Sequence, residues 1–287
     1  MKKLKEKINK EKEDTMKFIY ACDVHGDKNK YNKLIELCKK TGINNIVLGG
    51  DIILKIGDRE KEQPIYLKEV IDPYFAKLQE NNINCICIMG NDDLEVLDEE
   101  YERICNKYSN VYNVDNSSII FEDICFIGCG KVLDGPWHRK NRVVIESESP
   151  MEKQVKDIVV VDKGTREITA KEWEAYRYTY ETMEHALESL PKNNSGYKTI
   201  YILHDPPYGV GLDVCFNGYQ AGSKTITRFL ENSNAYMSFH GHIHESPKMS
   251  GKWYSKIGNA IAIQPGQTEF DGSEFVYVVV DTDKGEY

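Results

Sequence analysis

Apolar and amphipathic segments alternate along the N-terminal part of the chain, and each apolar segment ends in a polar loop. Residues 17–22, 45–48 and 83–89 are short and mostly apolar, which is typical of buried strands. A stretch with apolar residues at helical spacing follows each of them, as in the stripe from Tyr31 to Cys38. The repeated order of strand, loop and helix predicts a parallel sheet with right-handed crossovers, and hence an α/β fold.

The pattern predicts further elements of both kinds. An amphipathic helix is expected at 65–79, where Pro73 should break or kink it. A capping box, Thr169-Ala-Lys-Glu172, begins another helix whose apolar stripe continues to Leu190. Additional elements are predicted as a helix at 94–105, paired strands at 117–122 and 124–129, and strands at 198–203, 235–239, 257–263 and 275–281.

Two segments differ from this pattern. Residues 1–14 alternate lysine and glutamate with almost no apolar side chain, which is typical of a frayed helix or a disordered arm. Residues 131–168 are irregular and combine several basic side chains with a short apolar run at 155–161. We therefore expect a charged arm at 1–14 and a single domain at 15–287, which carries an insertion with one or two short strands at about 131–168.

Composition narrows the possible function classes. The formal net charge of −9 argues against a general nucleic-acid-binding surface, although a bound metal ion can still create a site for phosphate. No apolar run approaches the ~18 residues that a membrane span requires. Most of the 8 cysteines lie in apolar segments, as expected for small buried residues in a reducing compartment. We expect a cytoplasmic protein without a membrane span, a signal peptide or a stable nucleic-acid partner.

Side chains that commonly bind metal ions follow five of the predicted strands. Asp51 comes directly after two glycines at the end of one strand, and ligand sites in open α/β sheets gather at the carboxyl ends of strands. Each residue type is ordinary in turns, but four of the 7 histidines fall at these strand ends. The candidate metal ligands are Asp23, His25, Asp51, Asn91, His204, His242 and His244.

The chemistry of these side chains favours a site for two divalent ions. Carboxylate, amide and imidazole groups suit Mn²⁺, Fe²⁺ or Zn²⁺, and the lack of thiolates among them argues against a structural zinc site. Seven ligands are too many for one such ion, but they suit two ions about 3.5–4 Å apart that share a carboxylate. In an extended backbone, both members of Asp23-x-His25 and of His242-x-His244 would face the same side.

The order of these motifs resembles that of the calcineurin-like metallophosphoesterase family. Asp-x-His, Gly-Asp, Gly-Asn-x-Asp, a strand-end histidine and Gly-His-x-His follow one another across roughly residues 17–265. The resemblance implies a four-layer αββα sandwich with a dinuclear metal site at the strand ends, in which Asp51 bridges the two ions. The implied ligand sets are Asp23, His25, Asp51 and His244 for one ion and Asp51, Asn91, His204 and His242 for the other.

One position departs from the family's pattern. Most members have histidine where this chain has Asp92, so Asp92 and the adjacent Asp93 become the candidate catalytic residues. Asp92 can act as an acid only if burial or the charge of Asp93 raises its pKa. In the expected insertion, His138 and Arg139 either bind a substrate phosphate or belong to a solvated basic loop.

The resemblance implies a hydrolase of phosphate esters, in which a hydroxide that bridges two divalent metal ions attacks phosphorus in line. We expect Mn²⁺, with Fe or Zn as alternatives, and a small phosphate-ester substrate, for which a nucleotide is one candidate. The departure at Asp92 favours phosphodiesters. The alternatives are a phosphomonoesterase or protein phosphatase, and a weakly active binding or scaffold member of the fold.

Tyr208, Phe216 and Tyr219 can stack on an aromatic substrate group or pack onto the sheet. The natural substrate and the oligomeric state stay open.

Overall fold

The computed structural model describes residues 16–55, 57–146, 156–163, 165–193, 195–267 and 274–287. The predicted arm at 1–14 and residue 155 of the apolar run lie outside these ranges. The strands are β1 (Lys17–Ala21), β2 (Asn45–Gly49), β3 (Asn84–Ile88), β4 (Val111–Asn113), β5 (Ser118–Phe121), β6 (Ile124–Cys129), β7 (Val132–Leu133), β8 (Val143–Val144), β9 (Ile158–Val161), β10 (Arg166–Thr169), β11 (Lys198–Leu203), β12 (Ala235–Phe239), β13 (Tyr254–Ile257), β14 (Ala260–Ile263) and β15 (Val278–Asp281). The helices are α1 (Lys28–Thr41), α2 (Arg59–Tyr66), α3 (Asp72–Glu80), α4 (Asp98–Cys105), α5 (Ala170–Tyr176), α6 (Met183–Glu188), α7 (Lys224–Asn232) and α8 (Ser246–Ser250).

Two mixed sheets hold most of these strands. The first has the order β15-β1-β2-β3-β4, with β1 to β4 parallel and β15 antiparallel at the edge. The second has the order β13-β14-β12-β11-β6-β5, in which β14, β12, β11 and β6 are parallel. The predicted parallel arrangement is therefore confirmed. Strand β4 was not predicted, because three residues are too few to show a period.

The two sheets pack face to face. Alternate residues of β1 point to opposite sides, so Phe18 and Tyr20 face the second sheet while Ile19 faces away from it. The ring of Phe18 lies 6.0 Å from that of Phe126 on β6 and 5.3 Å from that of Phe239 on β12. These buried rings form the apolar layer that joins the sheets.

Helices cover the outer faces of both sheets. Leu34 of α1, Phe75 of α3 and Ile104 of α4 pack in one core cluster with the outward face of the first sheet. Leu187 of α6 and Leu230 of α7 pack in a separate cluster with the outward face of the second sheet. The four layers are thus helix, sheet, sheet and helix, as predicted. Among the described residues, every helix is too short or too polar to cross a lipid bilayer.

The helix expected at 65–79 begins earlier and is not broken by proline. Asp58 caps α2, since its side chain accepts a hydrogen bond from the backbone N–H of Lys61. A π-helical turn over Leu67–Ile71 then leads into α3. Pro73 stands in the first turn of α3, directly after this π-helical turn. The predicted break is therefore wrong, and the irregularity beside the proline is the π-helical turn.

The prediction of one continuous helix from Thr169 to Leu190 is also wrong. The capping box is present, but α5 ends in a 3₁₀ turn over Arg177–Thr179, and the chain becomes extended before α6. There the backbone N–H of Ile145 donates to the carbonyl of Glu181 at 3.0 Å. This pairing with a distant segment outweighs the local helical period.

The region expected to be an insertion contains two small pairs of strands. Strands β7 and β8 pair in parallel, and β9 and β10 pair antiparallel, which is more regular structure than the one or two strands expected. Trp173 of α5 packs with Val132, Val143 and Val159 in a core cluster of its own. The assignment of 131–168 as an insertion in a single domain stays a prediction.

Candidate metal centre

One group of predicted ligands meets where β1, β2 and β12 end. The Nε2 atoms of His25 and His244 are 3.0 Å apart, and Nε2 of His244 is 3.3 Å from Oδ1 of Asp23. One ligand atom from each of Asp23, His25, Asp51 and His244 lies within 4.8 Å of the others. These four side chains follow strands of both sheets. They meet because the carboxyl ends of the parallel strands open at the same edge.

The remaining ligands meet beside the first group. Nε2 of His204, which follows β11, lies 3.2 Å from Oδ1 of Asn91 and 3.4 Å from Oδ2 of Asp51. The rings of His204 and His242 are 5.6 Å apart. Asp51 therefore adjoins both groups, which is the position that a bridging carboxylate requires.

The backbone directs these side chains differently from the expected extended geometry. Asp23, His25 and His242 have φ values of 53°, 48° and 68°, and Asp51 has a φ of 50°. Each is in the left-handed region, which costs a residue other than glycine roughly 1–3 kcal/mol. The premise of extended pairs is therefore wrong: tight left-handed turns aim both members of each pair at the site.

Two glycines allow the loops to approach each other closely. A Cβ at Gly90 would lie 2.4 Å from Oδ1 of Asp51 and 2.8 Å from Nε2 of His204. A Cβ at Gly50 would lie 2.5 Å from Nδ1 of His204. Side chains at these positions would occupy the space in which the ligands converge.

Burial and charge set the protonation of the histidines. Burial lowers the pKa of His25 to about 4 and that of His242 to about 3, so both rings are neutral at pH 7. Burial also acts to lower the pKa of His204, but the carboxylates of Asp51 and Asp23 outweigh it and raise this pKa to about 10. Nδ1 of His204 hydrogen-bonds with the carbonyl of Gly49 at 2.8 Å, which leaves Nε2 to face the carboxylates.

Two features of the site suit divalent metal ions: buried polar atoms that have no hydrogen-bond partner among the described residues, and the types of its donor side chains. Oδ2 of Asp23 and Nδ1 of His25 are buried and have no hydrogen-bond partner in the part of the chain that the structure describes. Buried polar atoms without partners are costly unless a ligand or an ion satisfies them. The mixture of carboxylate, amide and imidazole donors suits Mn²⁺, Fe²⁺ or Zn²⁺.

Comparison with known proteins identifies the family. The sequence model of the calcineurin-like phosphoesterase family matches residues 16–246. The chain belongs to this family. Comparison with curated protein sequences returned no match.

Several solved structures share the fold of this chain. The protein TT1561 of Thermus thermophilus is 17% identical with a TM-score of 0.56, and the match covers 95% of this chain and 96% of that one. A dimetal phosphatase from Danio rerio is 12% identical with a TM-score of 0.55, over 93% of this chain and 92% of that one. At these identities the likeness supports the four-layer fold and no finer statement about substrate.

Asp92 lies at the edge of the candidate metal centre between two cations. Its carboxylate is 3.0 Å from Nζ of Lys55 and 2.7 Å from Nη1 of Arg59. Its backbone N–H donates to Oδ1 of Asp51 at 2.7 Å, which ties the loop after β3 to the bridging position. Sequence reasoning missed both cations, although the position of Lys55 in the loop that begins at Asp51 was a usable signal.

Asp93 is turned toward the backbone. It is fully buried and accepts hydrogen bonds from the N–H groups of Ile52, Ile53 and Gly90 at 2.7–3.0 Å. Burial and the charge of Asp51 raise the pKa of Asp93 to about 7, and the three hydrogen bonds act in the opposite direction. Asp93 therefore joins the loops after β2 and β3, and its catalytic role stays a prediction.

A cavity of about 500 Å³ opens over the metal centre. The predicted substrate residues His138 and Arg139 line it, together with Trp137 and Lys55. Nη1 of Arg139 lies 2.6 Å from a carboxylate oxygen of Glu60, and Nδ1 of His138 hydrogen-bonds with the carbonyl of Ile158 at 2.7 Å. These residues between β7 and β8 thus line the cavity over the candidate metal centre, and their phosphate-binding role stays a prediction.

Proposed function

We propose that this protein hydrolyses small phosphate esters with the help of two divalent ions, which we expect to be Mn²⁺, and that it prefers phosphodiesters. The observation that supports this most is the convergence of six further predicted nitrogen and oxygen ligands around Asp51 at the base of an open cavity. Two bound ions would neutralise phosphoryl oxygens and activate the attacking water.

The ligands of the two ions divide around Asp51. Asp23, His25 and His244 would complete one ion's set, while Asn91, His204 and His242 would complete that of the other. The neutral rings of His25 and His242 are ready to coordinate a metal, because no proton has to leave them at pH 7.

The place of Asp92 in the cavity wall supports the preference for diesters, because most members of the family have histidine at this position. Both carboxylate oxygens of Asp92 are paired with cations, one with Lys55 and the other with Arg59, so Asp92 would assist a leaving group poorly. Substrates with good leaving groups would therefore be turned over fastest.

The decisive test compares two chromogenic esters. Metal-free protein is titrated with Mn²⁺ while it hydrolyses bis-p-nitrophenyl phosphate or p-nitrophenyl phosphate. We expect Mn²⁺-dependent turnover, with the diester preferred, and its loss in Asp51→Asn and His204→Ala. Asp283→Asn and His185→Ala serve as matched controls, since both residues are exposed.

Each other result would change the assignment. Turnover of the monoester alone would indicate a phosphomonoesterase. Bound metal without turnover of either ester would indicate a binding or scaffold protein. Unchanged turnover in Asp51→Asn would contradict the proposed metal centre.

A further inference from the structure

A second cavity lies beside the metal cavity. It measures about 370 Å³, within the range of small-molecule sites in proteins. Trp137 lines both cavities, so the two spaces share a wall. Tyr208, Tyr219 and Lys224 line the rest of the second cavity together with glycines of the loop between β11 and α7.

Trp137 is held in position as the shared wall. Its indole ring meets the ring of His242 edge to face, with centroids 5.2 Å apart at 86°. The same ring packs over Gly135, where a Cβ would lie 2.2 Å from it. One side of the indole therefore reaches a predicted metal ligand, while the residue also borders the second cavity.

The loop between β11 and α7 forms the opposite wall. Val214 and Gln220 form a β-bridge, and the N–H of Cys215 donates to the carbonyl of Tyr219 at 2.8 Å. Nζ of Lys224 lies 5.3 Å from the ring centroid of Tyr208. These contacts keep Tyr208 and Tyr219 on the wall although both rings remain partly accessible.

The cavity does not offer the N-terminus of α7 to an anion. Oε1 of Glu146 accepts a hydrogen bond from Oγ of Ser223 at 2.8 Å, and Oε2 accepts one from the N–H of Lys224 at 3.2 Å. Because this carboxylate already occupies the helix end, a phosphate would be repelled there. The larger side chains of the lining are the aromatic rings of Trp137, Tyr208 and Tyr219, accompanied by Leu133, Asp134, Gln220 and Lys224.

We propose that the second cavity is a subsite for a flat aromatic group, such as a nucleobase, on one ester arm of the substrate. This inference rests on the proposed function and deepens it. A phosphodiester carries an organic group on each side of phosphorus, so a site for diesters needs space beside the metals. Aromatic side chains bind bases by stacking on their faces, and alanine substitution typically costs about five- to 150-fold in affinity.

The test measures binding, so it does not depend on turnover. Isothermal titration calorimetry of Mn²⁺-loaded protein compares the binding of adenosine 5′-monophosphate with that of ribose 5-phosphate. The second ligand has the same sugar and phosphate but no base. Both ligands are recovered afterwards to verify that they are intact. We expect the Kd of the nucleotide to be at least roughly tenfold lower than that of ribose 5-phosphate. Tyr219→Ala should reduce this ratio at least threefold, whereas Tyr219→Phe should preserve it.

Phe216→Ala is the matched control. Phe216 belongs to the same loop and is 60% exposed, but it does not line the cavity. Equal Kd values for the two ligands, or no binding of either, would overturn the inference. So would a ratio that survives both Tyr219→Ala and Tyr208→Ala. Turnover of bis-p-nitrophenyl phosphate is measured in parallel, so failure of the subsite and failure of the proposed reaction give different results.

Discussion

Asp92 shows how neighbouring charges change what one carboxylate can do. An isolated aspartate in this cavity would repel a phosphate, but Lys55 and Arg59 both pair with it. Nδ1 of His25 lies 3.9 Å from the same carboxylate, so this charge cluster adjoins a predicted metal ligand. Its effect on substrate therefore depends on the group as a whole rather than on Asp92 alone.

Removing Lys55 should weaken substrate binding more than it weakens the fold. Lys55→Met leaves Asp92 with one cation fewer beside the metal centre, so we expect KM for bis-p-nitrophenyl phosphate to rise roughly tenfold, as for the loss of one charge-assisted contact. Adding Asp92→Asn should recover part of that loss, because the uncompensated charge is gone. Steady-state kinetics of the two variants provide the measurement.

Lys107→Met is the control for Lys55→Met, because Lys107 pairs with Asp72 away from the cavity. Its KM should equal that of the unchanged protein. If Lys55→Met shows an unaltered KM, the lysine does not compensate Asp92 during substrate binding.

At the scale of elements, the loop after β3 is held by residues from the region around β7 and β8. Nδ2 of Asn141 donates to the carbonyls of Asn91 and Asp93 at 2.9 and 2.7 Å. Its Oδ1 accepts from the N–H of Glu95 at 2.9 Å, and the side chain is buried. The position of Asn91, a predicted metal ligand, therefore depends on a segment that follows it by about fifty residues in the chain, as the Asn91–Asn141 separation shows.

Asn141→Ala should lower both stability and activity. The substitution removes three hydrogen bonds and leaves buried backbone groups unpaired, so we expect a loss of about 2 kcal/mol in the free energy of unfolding. Because Asn91 would lose its fixed position, turnover should fall roughly tenfold, as is usual when a group that orients a metal ligand is lost. Denaturant unfolding and diester turnover measure the two effects.

Asn193→Ala separates these effects. Nδ2 of Asn193 donates to the carbonyl of Tyr197 and to Oγ1 of Thr199, both at 2.8 Å, at the start of β11. This variant should lose stability and retain turnover. Equal losses of turnover in both variants would mean that Asn141 acts only through general stability.

At the scale of the whole molecule, the candidate metal centre combines residues of the two sheets. Asp23, Asp51 and Asn91 follow strands of the first sheet, whereas His204 and His242 follow strands of the second. A bound ion would therefore add a link across the apolar layer between the sheets. Ligands that bind only the folded state stabilise it by an amount that grows with their concentration.

Metal loading should raise the melting temperature. At an Mn²⁺ concentration of about 100 times its Kd, the expected stabilisation is about 2.7 kcal/mol, which corresponds to a rise of about 5 °C or more in a chain of this size. Differential scanning calorimetry of chelator-treated and Mn²⁺-loaded protein provides the measurement. Asp51→Asn should abolish the rise and Asp283→Asn should keep it; a rise that persists in Asp51→Asn would place the ion elsewhere.

Local patterns in the sequence determined the α/β class with its parallel sheet and the place of the candidate site, whereas the four layers were implied by the resemblance to the family. Buried strands ending in Asp23, Asp51 and His204 could be recognised because burial on both faces produces short apolar runs. Parallel strands open at a common edge, so side chains distant in sequence were expected to meet there. That reasoning needs only the spacing of residues along the chain.

The tertiary structure alone decided the features that depend on contacts between distant segments. The left-handed turns at Asp23 and His25 are held by hydrogen bonds from their N–H groups to the carbonyls of Gly50 and Asp51, so no local period reveals them. The helix after Thr169 stops because its chain pairs with Ile145. Trp137 borders two cavities because the β11–α7 loop forms the wall opposite it. Such contacts depend on which surfaces meet, and a single sequence contains no direct record of that choice.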